Sequence, residues 1–171
     1  MNKLIIPLII VLAALTRIIP HPPNFTPIIA IGLFSGVYIQ KRYMAVLMPI
    51  GAMFLSDLLI GFHGTIYWVY GSLLLVVILG MIIINKVNII NCAMAAICGS
   101  FLFFFVTNLG VWLTSGFYPK TIEGIITCYI MALPFFSNTI ASSLFYSSVI
   151  FGSYEILKRN LVQTIPESIQ N

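Results

Sequence analysis

The stretch TIEGIITCYIMALPFFSNTIASSLFYSSVIFGSYEIL, Thr121–Leu157, decides how many helices this chain has. It holds about 37 residues, with Pro134 near its middle. A helix crossing a bilayer needs about 20 apolar residues, with a range of about 17–25. The stretch is therefore too long for one straight span. Proline lacks an N–H and its ring clashes with the preceding turn. We read a short helix before Pro134 and a span from about Phe135 to Leu157.

Working outward, five further apolar runs precede it. They are Leu4–Ile19, Ile28–Ile39, Met44–Ile60, Tyr67–Ile84 and Ile89 to about Leu113. The segment Pro20-His21-Pro22-Pro23-Asn24-Phe25-Thr26-Pro27 stops the first. Gln40-Lys41-Arg42 ends the second, which is short for a span and is expected to tilt into protein or to borrow from its flanks. Gly61-Phe62-His63-Gly64 and Asn85-Lys86-Val87-Asn88 separate the next three. Thr114–Lys120 is a turn-rich loop. The expectation is an all-α polytopic membrane protein. It has six transmembrane helices and a short extra helix before the last, in one domain over residues 1–160. Residues 161–171 form a polar tail.

Composition agrees. Of 171 residues, 60% are hydrophobic and 7% charged, and the mean hydropathy is +1.08. Soluble domains carry about 25% charged residues, which they need to cover their surface. Eight Lys or Arg and four Asp or Glu cannot form that shell. The net charge of +4 comes from scattered residues, which excludes a nucleic-acid binder. Met1-Asn2-Lys3 followed by an apolar run resembles a signal peptide, but no small-x-small cleavage site precedes the prolines, so an uncleaved first span is expected. Cys92, Cys98 and Cys128 read as small apolar residues rather than as a metal or disulfide set.

Lys and Arg in short loops set orientation. With six spans, Lys3, Lys41, Arg42, Lys86, Lys158 and Arg159 fall on one side, and Arg17 and Lys120 on the other. Both termini are then cytoplasmic. The outer loops hold both histidines, both tryptophans and most of the remaining polar groups. Such a surface suits a pocket, in which aromatic walls supply area and a few polar groups fix orientation. An interfacial aromatic belt is the alternative, but a belt belongs on both sides.

The expected substrate-binding residues follow from this asymmetry. They are Asn24 and Phe25 in the first outer loop, Asp57, His63 and Tyr67 around the second, and Asn108, Trp112 and Tyr118 around the third. Asp57 lies inside the third run, where a carboxylate is costly and defaults to function. Three roles are open to it: a structural ion pair with Arg17, contact with ligand, or coupling to a proton or cation. His21, His63 and Asp57 could also ligate a metal, although the separations fix no geometry, and we expect no metal and no cofactor. Asn108 and Asn138 suit hydrogen bonds between helices or a cavity wall. Gly32 and Gly36, and Ser143, Ser147, Ser148 and Gly152, allow close helix packing.

No P-loop, HExxH or GxSxG motif occurs, and no carboxylates pair at a recognisable spacing, so an enzyme is not expected. A channel would want polar stripes through several spans. Three-plus-three spans also leave little room for a complete alternating-access transporter.

The strings Arg17–Pro27, Ser56-Asp57-Leu58-Leu59-Ile60-Gly61-Phe62-His63, Thr107-Asn108-Leu109-Gly110-Val111-Trp112-Leu113 and Leu133-Pro134-Phe135-Phe136 resemble a bacterial family of small membrane proteins labelled as transport proteins. That family is in turn similar to the S-components of energy-coupling-factor vitamin transporters. The resemblance implies a six-helix bundle that captures a vitamin or other micronutrient from outside. Its partners would be the bilayer, a small solute and an energising transporter module or other membrane subunits. S-components carry small residues four apart on the first span, whereas here Ala13 is followed by Arg17 and Ala14 by Ile18. That departure argues against docking to a shared energising module and leaves a solitary uptake protein open. From a different class, a structural or assembly subunit of a larger membrane complex would also suit the bulky apolar run around Phe101 and Phe103–Phe105.

Overall fold

The structure, a computed structural model, describes residues 4–84 and 86–163, the last three by their backbone alone. Lys3, Asn85 and residues 164–171 of the expected tail lie outside the described residues. Six α-helices follow in order: α1 Ile5–Leu15, α2 Ile28–Tyr38, α3 Arg42–Ile60, α4 Ile66–Ile83, α5 Ile89–Thr114 and α6 Ile122–Gln163. A 3-10 turn, Thr16–Ile18, extends α1. No strand occurs among the described residues. Four helices, α3 to α6, are long and apolar enough to cross a membrane, while α1 and α2 are shorter.

Helix ends obey local chemistry. The side chain of Asn88 accepts from the Asn91 amide at 2.8 Å and so caps α5. Gly61, at φ +101, ends α3, a conformation glycine adopts without a Cβ penalty. Between α1 and α2, the Phe25 amide donates to the Pro22 carbonyl at 2.9 Å. Pro23 and Asn24 are the central pair of this turn, and Asn24 has φ +61. Proline followed by a residue at positive φ is the pattern of a type II turn, which asparagine tolerates.

The short helix α2 is the centre of the bundle. Every residue from Ile28 to Ser35 is buried, and α1, α3, α4, α5 and α6 all pack against it. Eleven residues rise about 17 Å at 1.5 Å each, roughly half the thickness of a hydrocarbon core. A helix apolar on all sides belongs in a protein interior, and here the other five helices supply that interior. Close approach depends on glycine. A Cβ on Gly80 of α4 would lie 2.7 Å from the Leu33 carbonyl oxygen, and one on Gly32 2.9 Å from Leu73. Gly36 meets the backbone of Val77 in the same way. The Gly32–Gly36 pair therefore packs α2 on α4 within one chain. At the far end of α2, Phe34, Tyr38, Phe151 and Tyr154 form an aromatic cluster, and Tyr38 Oη donates to Glu155 Oε1 at 2.6 Å.

The outer faces are apolar. Leu8 and Leu12 on α1, Leu55 and Leu59 on α3, and Ile126 and Ile130 on α6 are all exposed. Water would penalise such a surface, whereas hydrocarbon accepts it.

One expectation needs correcting. The short helix before Pro134 and the span after it are a single helix, α6, of 42 residues. Pro134 removes the N–H that would bond the Ile130 carbonyl, but α5 holds α6 on both sides of that gap. Tyr129 Oη donates to the Phe105 carbonyl at 2.7 Å, and Phe136 packs on Phe104 with centroids 4.5 Å apart. Further along, Ser100 and Ser143 share a hydrogen bond of 2.6 Å. Prolines survive in membrane helices where neighbours stabilise the freed backbone. At about 63 Å, α6 is roughly twice as long as a hydrocarbon core is thick.

Candidate functional site: a cavity under the proline-rich loop

The proline-rich loop is folded back onto α6. Asn138 Nδ2 donates to the Pro23 carbonyl at 3.0 Å, and Ser142 Oγ to the Asn24 carbonyl at 3.3 Å. Phe25 packs against Phe145 and Tyr146. The Asn24 turn makes this possible, because it presents successive carbonyls to one face of α6. Beneath the loop lies a cavity of about 330 Å³.

Its wall has three parts. The first is the loop and its hinge, with Arg17, His21, Asn24 and Thr26. The second is the turn between α3 and α4, with His63 and Thr65. The third is the α5–α6 pair, where Phe103, Thr107, Asn108 and Val111 face Ala132, Phe135, Thr139 and Ser142. Among the described residues no Asp or Glu lines it.

Arg17 is held from behind. Its Nη1 lies 2.8 Å from Asp57 Oδ1 and also donates to Ser56 Oγ. Tyr70 Oη donates to Asp57 Oδ2 at 2.7 Å. The Asp57 side chain is 1% exposed and that of Arg17 10%. A carboxylate this deep is tolerable because the Arg17 cation and the Tyr70 hydroxyl donate to it. The network ties α1, α3 and α4 together, and Arg17 is also part of the cavity lining.

The expected residues therefore divide. Asn24, His63 and Asn108 line the cavity. Asp57 is one contact behind it, through Arg17. Phe25 is beside it, on α6. Tyr67 is 85% exposed and does not reach it. Trp112 instead closes the α5–α6 loop, with Nε1 donating to the Pro119 carbonyl at 2.9 Å and Lys120 Nζ 5.2 Å from its ring centre. Tyr118, in the same loop, does not line the cavity either. Asn108 bonds within its own helix, to the Phe104 carbonyl at 2.8 Å, rather than across to a neighbour. Both histidines reach the cavity but Asp57 does not, and no cluster of three His, Cys, Asp or Glu able to hold a metal occurs among the described residues.

The α6 wall was missed from sequence. Ala132, Phe135, Thr139 and Ser142 follow the three-and-four spacing of one helical face. A break at Pro134 separates Ala132 from the others and hides the stripe. Thr107, on α5, stands next to the expected Asn108 and one turn from Phe103, a spacing that also marks one face.

The chain belongs to a family of unknown function, DUF6580, whose model matches residues 1–166. No curated protein and no solved structure matches it.

Proposed function

We propose that this chain is a multi-pass transport protein of a bacterial cytoplasmic membrane that captures a small solute from the outer side. In this reading all six helices form an S-component-like bundle, both termini are cytoplasmic, and the solute belongs to the vitamin or micronutrient class. The observation that carries it is the cavity itself. Loops and helices far apart in sequence meet around it, and its lining sets the Phe103 and Phe135 rings and several aliphatic side chains among polar groups, many of them held by hydrogen bonds, a combination that can orient a small molecule. Charge supports the orientation. Lys41, Arg42, Lys86, Lys158 and Arg159 adjoin the ends of α2 to α6 away from the proline-rich loop, on the side that positive residues mark as cytoplasmic.

Ala13 and Ala14 are buried against the bundle. They leave no small-residue face on α1 for a coupling subunit, which favours the solitary form of uptake. Capture precedes a movement of the loops that exposes the solute inward.

Isothermal titration of the purified protein against a vitamin panel tests the reading. Saturable binding of one compound, lost when the cavity wall is altered, is the expected result. No binding by any compound, with unchanged thermal stability throughout, would overturn it.

A further inference from the structure

The hydroxyl groups on the α5–α6 wall have already spent their protons. Thr107 Oγ1 donates to the Phe103 carbonyl at 2.7 Å, and Thr139 Oγ1 to the Phe135 carbonyl at 3.0 Å. The single Ser142 Oγ proton is shared between the carbonyls of Thr139 at 3.0 Å and Asn24 at 3.3 Å. A carbonyl can only accept, so the direction of each bond is fixed. What these three residues offer the cavity is lone pairs. His21 behaves alike: its Nδ1 faces the Ile19 carbonyl at 2.7 Å and must carry the proton, so the neutral ring offers Nε2 as an acceptor. Asn108 directs one Nδ2 proton to its own helix, which leaves Oδ1 as a further acceptor beside the second N–H.

Opposite these acceptors stands a charged donor, Arg17. Only its Nη1 is committed, to Asp57 and Ser56, and a guanidinium has five N–H donors. With no acid in the lining, nothing there balances a cationic ligand. Phe103 and Phe135 add flat apolar walls.

We propose that the solute is a flat, neutral or singly anionic aromatic or heteroaromatic molecule. One edge donates hydrogen bonds from N–H or O–H groups to Thr107, Thr139 and Asn108. The opposite end accepts, through a carbonyl or carboxylate, from Arg17. This rests on the capture reading above and narrows it. A buried acceptor left without a donor is costly, so a ligand lacking the donor edge is disfavoured. The same logic rejects amines that carry a positive charge.

The test uses the purified full-length protein, matched probes and the vitamin panel. The probes are 4-aminobenzoate, 4-(dimethylamino)benzoate without N–H donors, aniline without the acceptor end, and benzylamine as a cation. We expect 4-aminobenzoate, or the tightest binder in the panel, to bind at least tenfold more tightly than its analogue without donors. Thr107→Val should reduce that preference severalfold. Equal or tighter binding of the dimethylated probe, a preference for benzylamine, or a panel ligand without an N–H or O–H edge would overturn the assignment and leave capture standing. If no compound of either set binds, capture itself falls, and this assignment with it.

Discussion

Arg17 and Asp57 lie 2.8 Å apart, one in the 3-10 turn after α1 and the other on α3, and the carboxylate is almost fully buried. Removing one partner of a buried pair strands the other charge, at a cost of about 3–5 kcal/mol. Asp57→Leu should therefore lower the thermal midpoint in detergent sharply. Combining it with Arg17→Met should recover most of the loss, because an apolar pair of similar volume is often no less stable. Equal midpoints for the single and double variants would contradict this account.

Glycine contacts between α2 and α4 make an opposite pair of predictions. Gly36→Ala forces a methyl group against the Val77 backbone and should destabilise by about 1–3 kcal/mol. Gly51→Ala on α3 meets nothing within 4 Å and should be neutral, or stabilising by up to about 1 kcal/mol. Thermal unfolding of both variants in one detergent compares them directly.

Pro134→Ala should not harm the protein. The helix is already continuous there, and alanine restores an N–H facing the Ile130 carbonyl. An unchanged or higher thermal midpoint is expected. A clear loss would show that the proline shapes a turn.

For the cavity, Asn108→Leu should weaken solute binding at least tenfold, as expected for about 1.4 kcal/mol or more. Tyr67→Ala should leave affinity within about twofold, because Tyr67 projects away from the cavity. Titration of both variants with the same solute separates lining from neighbourhood. Equal losses would place the site elsewhere.

The helices were readable in the sequence because lipid demands long apolar runs and prolines or glycines punctuate them. Length alone separates the two prolines inside helices: Met44–Ile60 fits one span with Pro49 within it, whereas Thr121–Leu157 exceeds one span and suggests a break at Pro134. Nothing forbids a helix longer than one span, and α6 runs unbroken past Pro134 against α5. A break at that proline would set Ala132 apart from Phe135, Thr139 and Ser142 on the cavity wall. Aromatic residues were over-weighted as well. Trp112 and Tyr67 share the cavity's end of their helices, but only side-chain direction decides which residues meet, and loop position does not encode it. Asn24, His63 and Asn108 were legible because polar groups beside apolar helices have few alternative partners.

The burial of α2 carries a consequence for synthesis. An 11-residue helix is too short to settle across hydrocarbon alone. Its partners α4, α5 and α6 are all translated after it, and Tyr38 waits 117 residues for Glu155. The nascent chain therefore holds its future centre in an unfinished state until the C-terminal hairpin arrives. Truncation after α3 should leave α2 without a stable membrane position, so the last helices to be made complete the insertion of one of the first.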